Sequence, residues 1–156
     1  MYTKILVPLD GSELAECIFP HVDMIMGGCG VGELVLARVL EPLQLAPYAD
    51  VDGFMGSKDI DRLLAAQETE ARNYLDKTQK RFQRAGVKLR TELLSGQVAD
   101  TIADYAKKEN FDLIIMATHG RGGISRWAFG SVADRVMRAG CVPILMVRAP
   151  GCVTGF

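Results

Sequence analysis

The chain has 156 residues, of which 49% are hydrophobic and 24% are charged. This length suits one hydrophobic core, and the composition excludes a disordered chain, a collagen and a coiled coil. The 18 Lys and Arg residues nearly balance the 19 Asp and Glu residues and leave a formal net charge of -1. No strong field therefore attracts nucleic acid or an anionic membrane surface, and we expect neither as a partner.

The N-terminal residues and the cysteines predict a cytoplasmic protein. The longest apolar runs are far shorter than the roughly 20 residues that cross a bilayer. The start of the chain lacks the apolar segment and the cleavage site of a signal peptide. The four cysteines show no C-x-x-C spacing, so we predict reduced thiols rather than a disulfide framework or a zinc site.

Apolar periodicity predicts five strands that alternate with four helices. Short apolar runs bounded by turn residues predict strands over residues 5–9, 34–40, 111–118 and 143–147, and an alternating pattern predicts one over residues 87–94. Helical spacing predicts helices over residues 13–26, from 60 to 85, from 98 onward and over 131–139. Pro20 either bends the first helix or divides it in two. We expect one domain over residues 1–148 and a flexible tail over residues 149–156.

The alternation of strands and helices determines the fold class. Nearly continuous apolar strands are typical of a parallel sheet that helices cover on both faces. We therefore predict an α/β, Rossmann-like fold with an open, five-stranded parallel sheet. Ligands bind such sheets at the carboxyl ends of the strands, where the strand order reverses. The candidate segments directly follow the first, second and fourth strands.

The segment after the fourth strand, residues 116–131, is rich in glycine and leads into a helix. Gly130 and Ser131 stand at the predicted start of that helix, where unpaired amide hydrogens and the helix dipole favour a phosphate. The segment has no Walker A lysine, and the chain has no G-x-G-x-x-G fingerprint after its first strand. These features predict anion binding without fast phosphoryl transfer.

Simpler interpretations of the same polar residues remain open. Ser131 with Asp134, and Asp10 with Glu13, have the spacing of helix caps, a role that is compatible with phosphate binding. His119 lies beyond a strand end among glycines, and a surface histidine without a role explains it equally well.

Two segments resemble the universal stress protein family of the nucleotide-binding kind, and the resemblance covers nearly all of residues 2–148. Residues 4–12 match the family's opening segment K-I-L-V-P-x-D-G-S. Gly120, Gly130 and Ser131 match its loop G-x2-G-x9-G-[ST]. One position departs from the pattern, because Ala117 stands in place of the first glycine and adds a methyl group beside the backbone.

The resemblance implies the strand order 3-2-1-4-5 and a homodimer formed through the fifth strand, Ile144 to Val147. It also implies that Pro8, Leu9 and Asp10 contact adenosine and that the backbone of Val39 meets the adenine edge. The implied ribose and phosphate cradle consists of Met116, Ala117, Thr118, His119, Gly120, Gly130, Ser131 and Val132.

These observations predict an ATP-binding stress-response regulatory protein whose nucleotide occupancy acts as a switch and which hydrolyses ATP slowly at most. Arg121 and Arg126 are candidate counter-charges for the phosphates. We expect Mg2+ to arrive with the phosphates, because the sequence contains no dedicated carboxylate cluster. No catalytic residue and no protein ligand for a metal is predicted.

Two other functions stay open at this point. A hydrolase would use Ser125 or Ser131 with His119 and Asp10, but the sequence has no G-x-S-x-G elbow. A dimeric adaptor of the same fold would act without nucleotide, through the glycine-rich loop or through the insert Glu41 to Ser57. We predict that this insert forms a mobile lid over the nucleotide, because it leaves the second strand beside the adenine position.

Overall fold

A computed structural model describes residues 2–42, 57–83, 86–118, 130–140 and 142–148. Its five parallel strands form one sheet with the order β3-β2-β1-β4-β5. The strands are β1 (Lys4–Pro8), β2 (Glu33–Leu40), β3 (Lys88–Ser95), β4 (Leu113–Ala117) and β5 (Ile144–Val147). The predicted parallel sheet and its order are confirmed, and the strand bounds differ from the predicted ones by one or two residues.

Four helices cover the sheet, and they divide between its two faces. The helices are α1 (Phe19–Gly28), α2 (Ser57–Arg81), α3 (Val98–Lys108) and α4 (Ser131–Ala139). Residues of α1 and α2 share one core cluster with the strands, and residues of α3 and α4 share a second. Helices therefore lie on both faces, as predicted. Helix α4 ends where predicted, at Gly140, whose φ of 61° is the left-handed conformation of a glycine stop.

Strand β2 is apolar at successive positions because both of its faces are buried. Leu34 and Leu36 belong to the cluster under α1 and α2, whereas Val35 and Ala37 belong to the cluster under α3 and α4. All four side chains are fully buried. Because successive side chains of a strand point to opposite faces, a strand covered on both faces needs an apolar residue at every position.

The first predicted helix is divided at Pro20. A short 3-10 helix, Ala15–Ile18, precedes α1, and Pro20 lies in the first turn of α1. A proline is tolerated there because the amide hydrogens of the first turn have no intrahelical acceptor. Of the two alternatives, division of the helix is therefore correct, and a single helix over residues 13–26 does not form.

Helix α2 buries only part of its apolar stripe. Ala71 and Leu75 are buried, but Leu63 and Leu64, apolar residues of the same helix, are 49% and 41% exposed. The 25 residues of α2 span about 37 Å, and the 8 residues of β2 span about 26 Å. The amino-terminal turns of α2 therefore extend past the carboxyl edge of the sheet, which periodicity alone does not show.

Candidate functional site

The carboxyl ends of β1 and β2 lie side by side at the centre of the sheet. Pro8 pairs with Ala37, and the amide of Leu9 donates a hydrogen bond of 2.8 Å to the carbonyl of Ala37. Val39 follows two residues later on β2 and pairs with β3. Strand β1 has β2 on one side and β4 on the other. The residues after β1 therefore lie at the reversal of strand order, where such sheets bind ligands.

The turn after β1 is held by its own side chains. Oδ1 of Asp10 accepts a hydrogen bond of 2.8 Å from the amide of Ser12, and Oγ of Ser12 accepts one of 3.1 Å from the amide of Ala15. Gly11 between them has a φ of 81°. The interpretation of Asp10 and Glu13 as the cap of the first helix is therefore wrong. Leu14 is the N-cap of the 3-10 helix, which has no side-chain cap. Asp10 fixes the turn before it while its side chain stays exposed.

The start of α4 is tied to the end of β4. The amide of Thr118 donates a hydrogen bond of 2.9 Å to the carbonyl of Val147 on β5, and the carbonyl of Thr118 accepts one of 2.6 Å from the amide of Gly130. Thr118 is buried. These two bonds hold Gly130, the residue before α4, beside the carboxyl edge of the sheet. They also occupy the amide of Gly130, which we expected to be unpaired.

The interpretation of Ser131 as a helix cap is wrong. Gly130 is the N-cap, Ser131 is already helical, and among the described residues no side chain caps the helix. Asp134 is not part of a cap either, because Oδ2 of its carboxylate accepts a hydrogen bond of 2.8 Å from Nε of Arg138.

Within the part of the chain that the structure describes, the first turn of α4 therefore presents a bare set of amide hydrogens. By helix geometry, the amides of Ser131, Val132 and Ala133 have no intrahelical acceptor, whereas the amide of Asp134 donates to the carbonyl of Gly130 at 2.9 Å. The positive end of the helix dipole lies at the same place. Such a helix start is suited to a phosphate group. Sequence reasoning included the first two of these residues and missed Ala133.

The two arginines of α4 pair with carboxylates of α3 and of α4 itself. Nη2 of Arg135 lies 2.9 Å from Oδ2 of Asp100 on α3. The hydrogen bond from Arg138 lowers the pKa of Asp134 below its usual range. Both guanidinium groups are thus committed to carboxylates and are poor candidates for phosphate counter-charges.

Several predicted residues lie outside the described part of the chain. These are His119, Gly120 and Arg121 of the predicted site, Ser125 and Arg126 of the same loop, residues 43–56 of the insert, and the tail 149–156. The structure thus brings together Pro8, Leu9, Asp10, Val39, Met116, Ala117, Thr118, Gly130, Ser131 and Val132 at one edge of the sheet. Within the described ranges, no group of three His, Cys, Asp or Glu side chains is arranged to hold a metal ion.

Sequence reasoning also missed Arg38, which is 8% exposed and lies at the same edge. The available signal was a charged residue inside the otherwise apolar run of β2.

Comparison with known proteins identifies the family. The sequence profile of the Universal stress protein family matches residues 1–148. The chain belongs to this family. Universal stress protein MJ0531 of Methanocaldococcus jannaschii is 33% identical over 157 aligned residues, which cover 96% of this chain and 84% of that protein.

Solved structures agree with the assignment. The structure of hypothetical protein MJ0577 has a TM-score of 0.80 at 27% identity and covers 97% of this chain and 99% of its own. Two further structures share the fold at 18% and 12% identity, with TM-scores of 0.63 and 0.62. They are a universal stress protein in complex with cAMP and a family protein from Arabidopsis thaliana with AMP bound. Some members of this fold family therefore bind adenine nucleotides.

Within the described helices, none combines the length and the apolar character that a bilayer span requires.

Proposed function

We propose that this universal stress protein binds ATP at the carboxyl edge of its sheet and acts as a regulatory switch that responds to nucleotide occupancy. The observation that carries the proposal is the start of α4, where Ser131, Val132 and Ala133 direct amide hydrogens that have no intrahelical acceptor to the edge at which β1 and β2 also end. The cAMP and AMP complexes of the two structural relatives support an adenine nucleotide as the ligand class.

In this proposal, the two parts of the ligand have separate binding surfaces. The turn after β1, with Pro8, Leu9 and Asp10, and the backbone of Val39 hold the adenosine. The start of α4 and the glycine-rich loop hold the phosphates, and the bonds of Thr118 to β5 and to Gly130 keep the start of α4 beside the sheet. Mg2+ is carried by the phosphates, and Arg121 of the loop is the proposed counter-charge.

The conformation of Gly130 indicates that glycine is needed there for its lack of a side chain and not for its backbone. Its φ of −48° and ψ of 143° are accessible to any L-residue, so the backbone does not require glycine at this position. We infer that the missing side chain serves access to the amides of α4. Because the chain lacks a Walker A lysine, we propose binding with slow hydrolysis at most.

We also propose a cytoplasmic homodimer. Cys17 and Cys29 are free thiols in the described part of the chain, which suits a reducing compartment. Strand β5 is an edge strand that pairs with β4 on one side, and pairing with a second copy would cover its other side.

Calorimetric titration with Mg-ATP tests the proposal. Gly130→Val should weaken ATP binding by at least about tenfold, because its side chain would stand before the amides of α4. Gly28→Val is a matched control at the end of α1, where an added Cβ meets nothing within 4 Å. This control should bind ATP as the wild type does.

Two results would contradict the proposal. If the wild type binds no ATP and releases no nucleotide when it is denatured, the nucleotide-independent adaptor becomes the better account. If Gly130→Val binds ATP as tightly as Gly28→Val, the phosphates lie elsewhere.

A further inference from the structure

Arg38 is a charged residue buried near the proposed adenosine site. It lies in β2 directly before Val39, and its side chain is 9% exposed. By strand alternation it points to the same face as Leu34 and Leu36, towards α1 and α2. Its position therefore places a positive charge under the carboxyl edge of the sheet, on the face opposite α4.

The guanidinium group of Arg38 packs against the turn after β1. A Cβ built on Gly11 would lie 3.0 Å from Nη1 of Arg38 and 3.2 Å from Cζ. The guanidinium thus fills the space that a side chain at position 11 would occupy. Asp10, a predicted adenosine contact, directly precedes Gly11 in this turn.

The same guanidinium group contacts α2 on its other side. Nη2 lies 3.6 Å from Oε1 of Glu70, and Cζ lies 5.7 Å from the ring centroid of Tyr74. Burial, followed by the negative charge of Glu16, raises the pKa of Tyr74. Glu70 thus lies beside Arg38, and Glu16 lies near Tyr74. In effect, Arg38 joins the turn after β1 to α2.

Fold stability does not account for a buried arginine here. Nη1 is buried and makes no hydrogen bond within the described part of the chain, which is costly for a charged donor. Its ion-pair partner Glu70 is 69% exposed, and such a pair stabilises a fold only weakly. An apolar residue of similar length at this position would pack at least as well.

We propose that Arg38 is a positioning residue of the adenosine site. Its guanidinium group holds the Asp10–Gly11–Ser12 turn against α2, so that Leu9 and Asp10 keep the positions that adenosine requires. This inference rests on the proposed function. Arg38 should affect the binding of adenosine and not of the phosphates, since the proposed phosphate site is the start of α4 on the other face of the sheet.

The test is calorimetric titration of Arg38→Met with ATP and, separately, with adenosine. We expect both affinities to fall by the same factor, about tenfold. The second variant, Gly130→Val, should lose affinity for ATP and keep its affinity for adenosine. Arg90→Met is the matched control, because Arg90 also pairs with carboxylates, 3.4 Å from Glu33 and 3.0 Å from Glu92, but lies towards the amino end of β3. It should keep both affinities.

Three results would overturn the inference: unchanged affinities in Arg38→Met, a loss for ATP alone, or an equal loss in Arg90→Met. If the wild type binds neither ligand, the proposed function fails. Amide hydrogen exchange then tests the role of Arg38 in holding the turn, independently of nucleotide binding. Faster exchange at residues 10–15 in Arg38→Met than in Arg90→Met would support a role in holding the turn, and equal exchange would overturn it.

Discussion

At the scale of single residues, Asp112 joins the amino ends of two central strands. Its Oδ2 accepts hydrogen bonds of 2.8 Å from the amides of Thr3 and Lys4, and a further one from the hydroxyl of Thr3. Asp112 directly precedes β4, and Lys4 begins β1. One carboxylate oxygen thus fixes the relative position of the strands between which the sheet reverses its order.

These bonds make the stability of the protein depend on pH. The hydroxyl of Thr3, and then the two amides, lower the pKa of Asp112 below its usual range. A carboxyl group with a lowered folded pKa stabilises the fold fully above its unfolded pKa of about 3.9, and this contribution is lost as the pH falls through the folded pKa. The stabilisation is therefore present at neutral pH and absent in strong acid.

Asp112→Asn should lower the free energy of unfolding by about 1–2 kcal/mol at pH 7, because an amide is a weaker acceptor for these donors. The difference from the wild type should shrink as the pH falls below about 4. Urea denaturation across this pH range measures both effects. The control is Asp76→Asn, an exposed position on α2. A difference of constant size at every pH would contradict this role for Asp112.

The sequence also led to wrong or missing roles for several single residues. Ser131 and Asp134 have the spacing of a capping box, but the helix begins one residue earlier than that interpretation requires, with Gly130 as its N-cap. Arg38 was overlooked because a charged residue in a strand is usually exposed. Its burial depends on the turn after β1 and on α2, neither of which the pattern of β2 contains.

At the scale of elements, the edge strand β5 has one paired and one open side. The carbonyls of Pro143 and Val147 accept hydrogen bonds from β4, at 2.9 Å each. Since the direction of backbone groups alternates along a strand, the backbone groups of Ile144 and Met146 point to the open side. These are the groups that a second copy would pair with in the proposed homodimer.

Met146→Pro should therefore abolish the homodimer and leave the fold intact. Proline removes an amide hydrogen on the open side of an edge strand, where the bonds to β4 are not affected. Met146→Ala shortens the side chain, keeps the amide and should remain dimeric. Sedimentation velocity measures the oligomeric state of both variants. A dimer in Met146→Pro, or a monomeric wild type, would contradict the role of β5.

Helices and strands were predicted well where the apolar pattern is strong, and poorly where tertiary contacts determine their burial. All five strands were found: β1, β2, β4 and β5 from their apolar runs, and β3 from its alternating pattern. Helix α4 was predicted with the correct bounds, since Gly140 ends it in the left-handed conformation. Helix α2 was predicted without its packing, because the burial of Leu63 and Leu64 depends on how far the helix extends past the sheet.

At the scale of the whole molecule, the strand order creates the site. Because β1 lies between β2 and β4, the connections after β1 and β4 leave the sheet towards opposite faces. The turn after β1 and the start of α4 therefore meet at one edge from two sides. The apolar pattern predicted a parallel sheet with helices on both faces, but the strand order came from the resemblance to the family, since local periodicity does not specify which strands are neighbours.

The central claim is that bare amides at the start of α4 bind the polyphosphate of ATP. The most direct test is a titration of 15N-labelled protein, followed by the amide resonances of Ser131, Val132 and Ala133. We predict that Mg-ATP shifts these resonances at saturation, whereas adenosine leaves them unchanged and shifts only the resonances of the turn after β1 and of Val39. Amide resonances of residues 131–133 that stay in place when the protein is saturated with Mg-ATP would contradict the account.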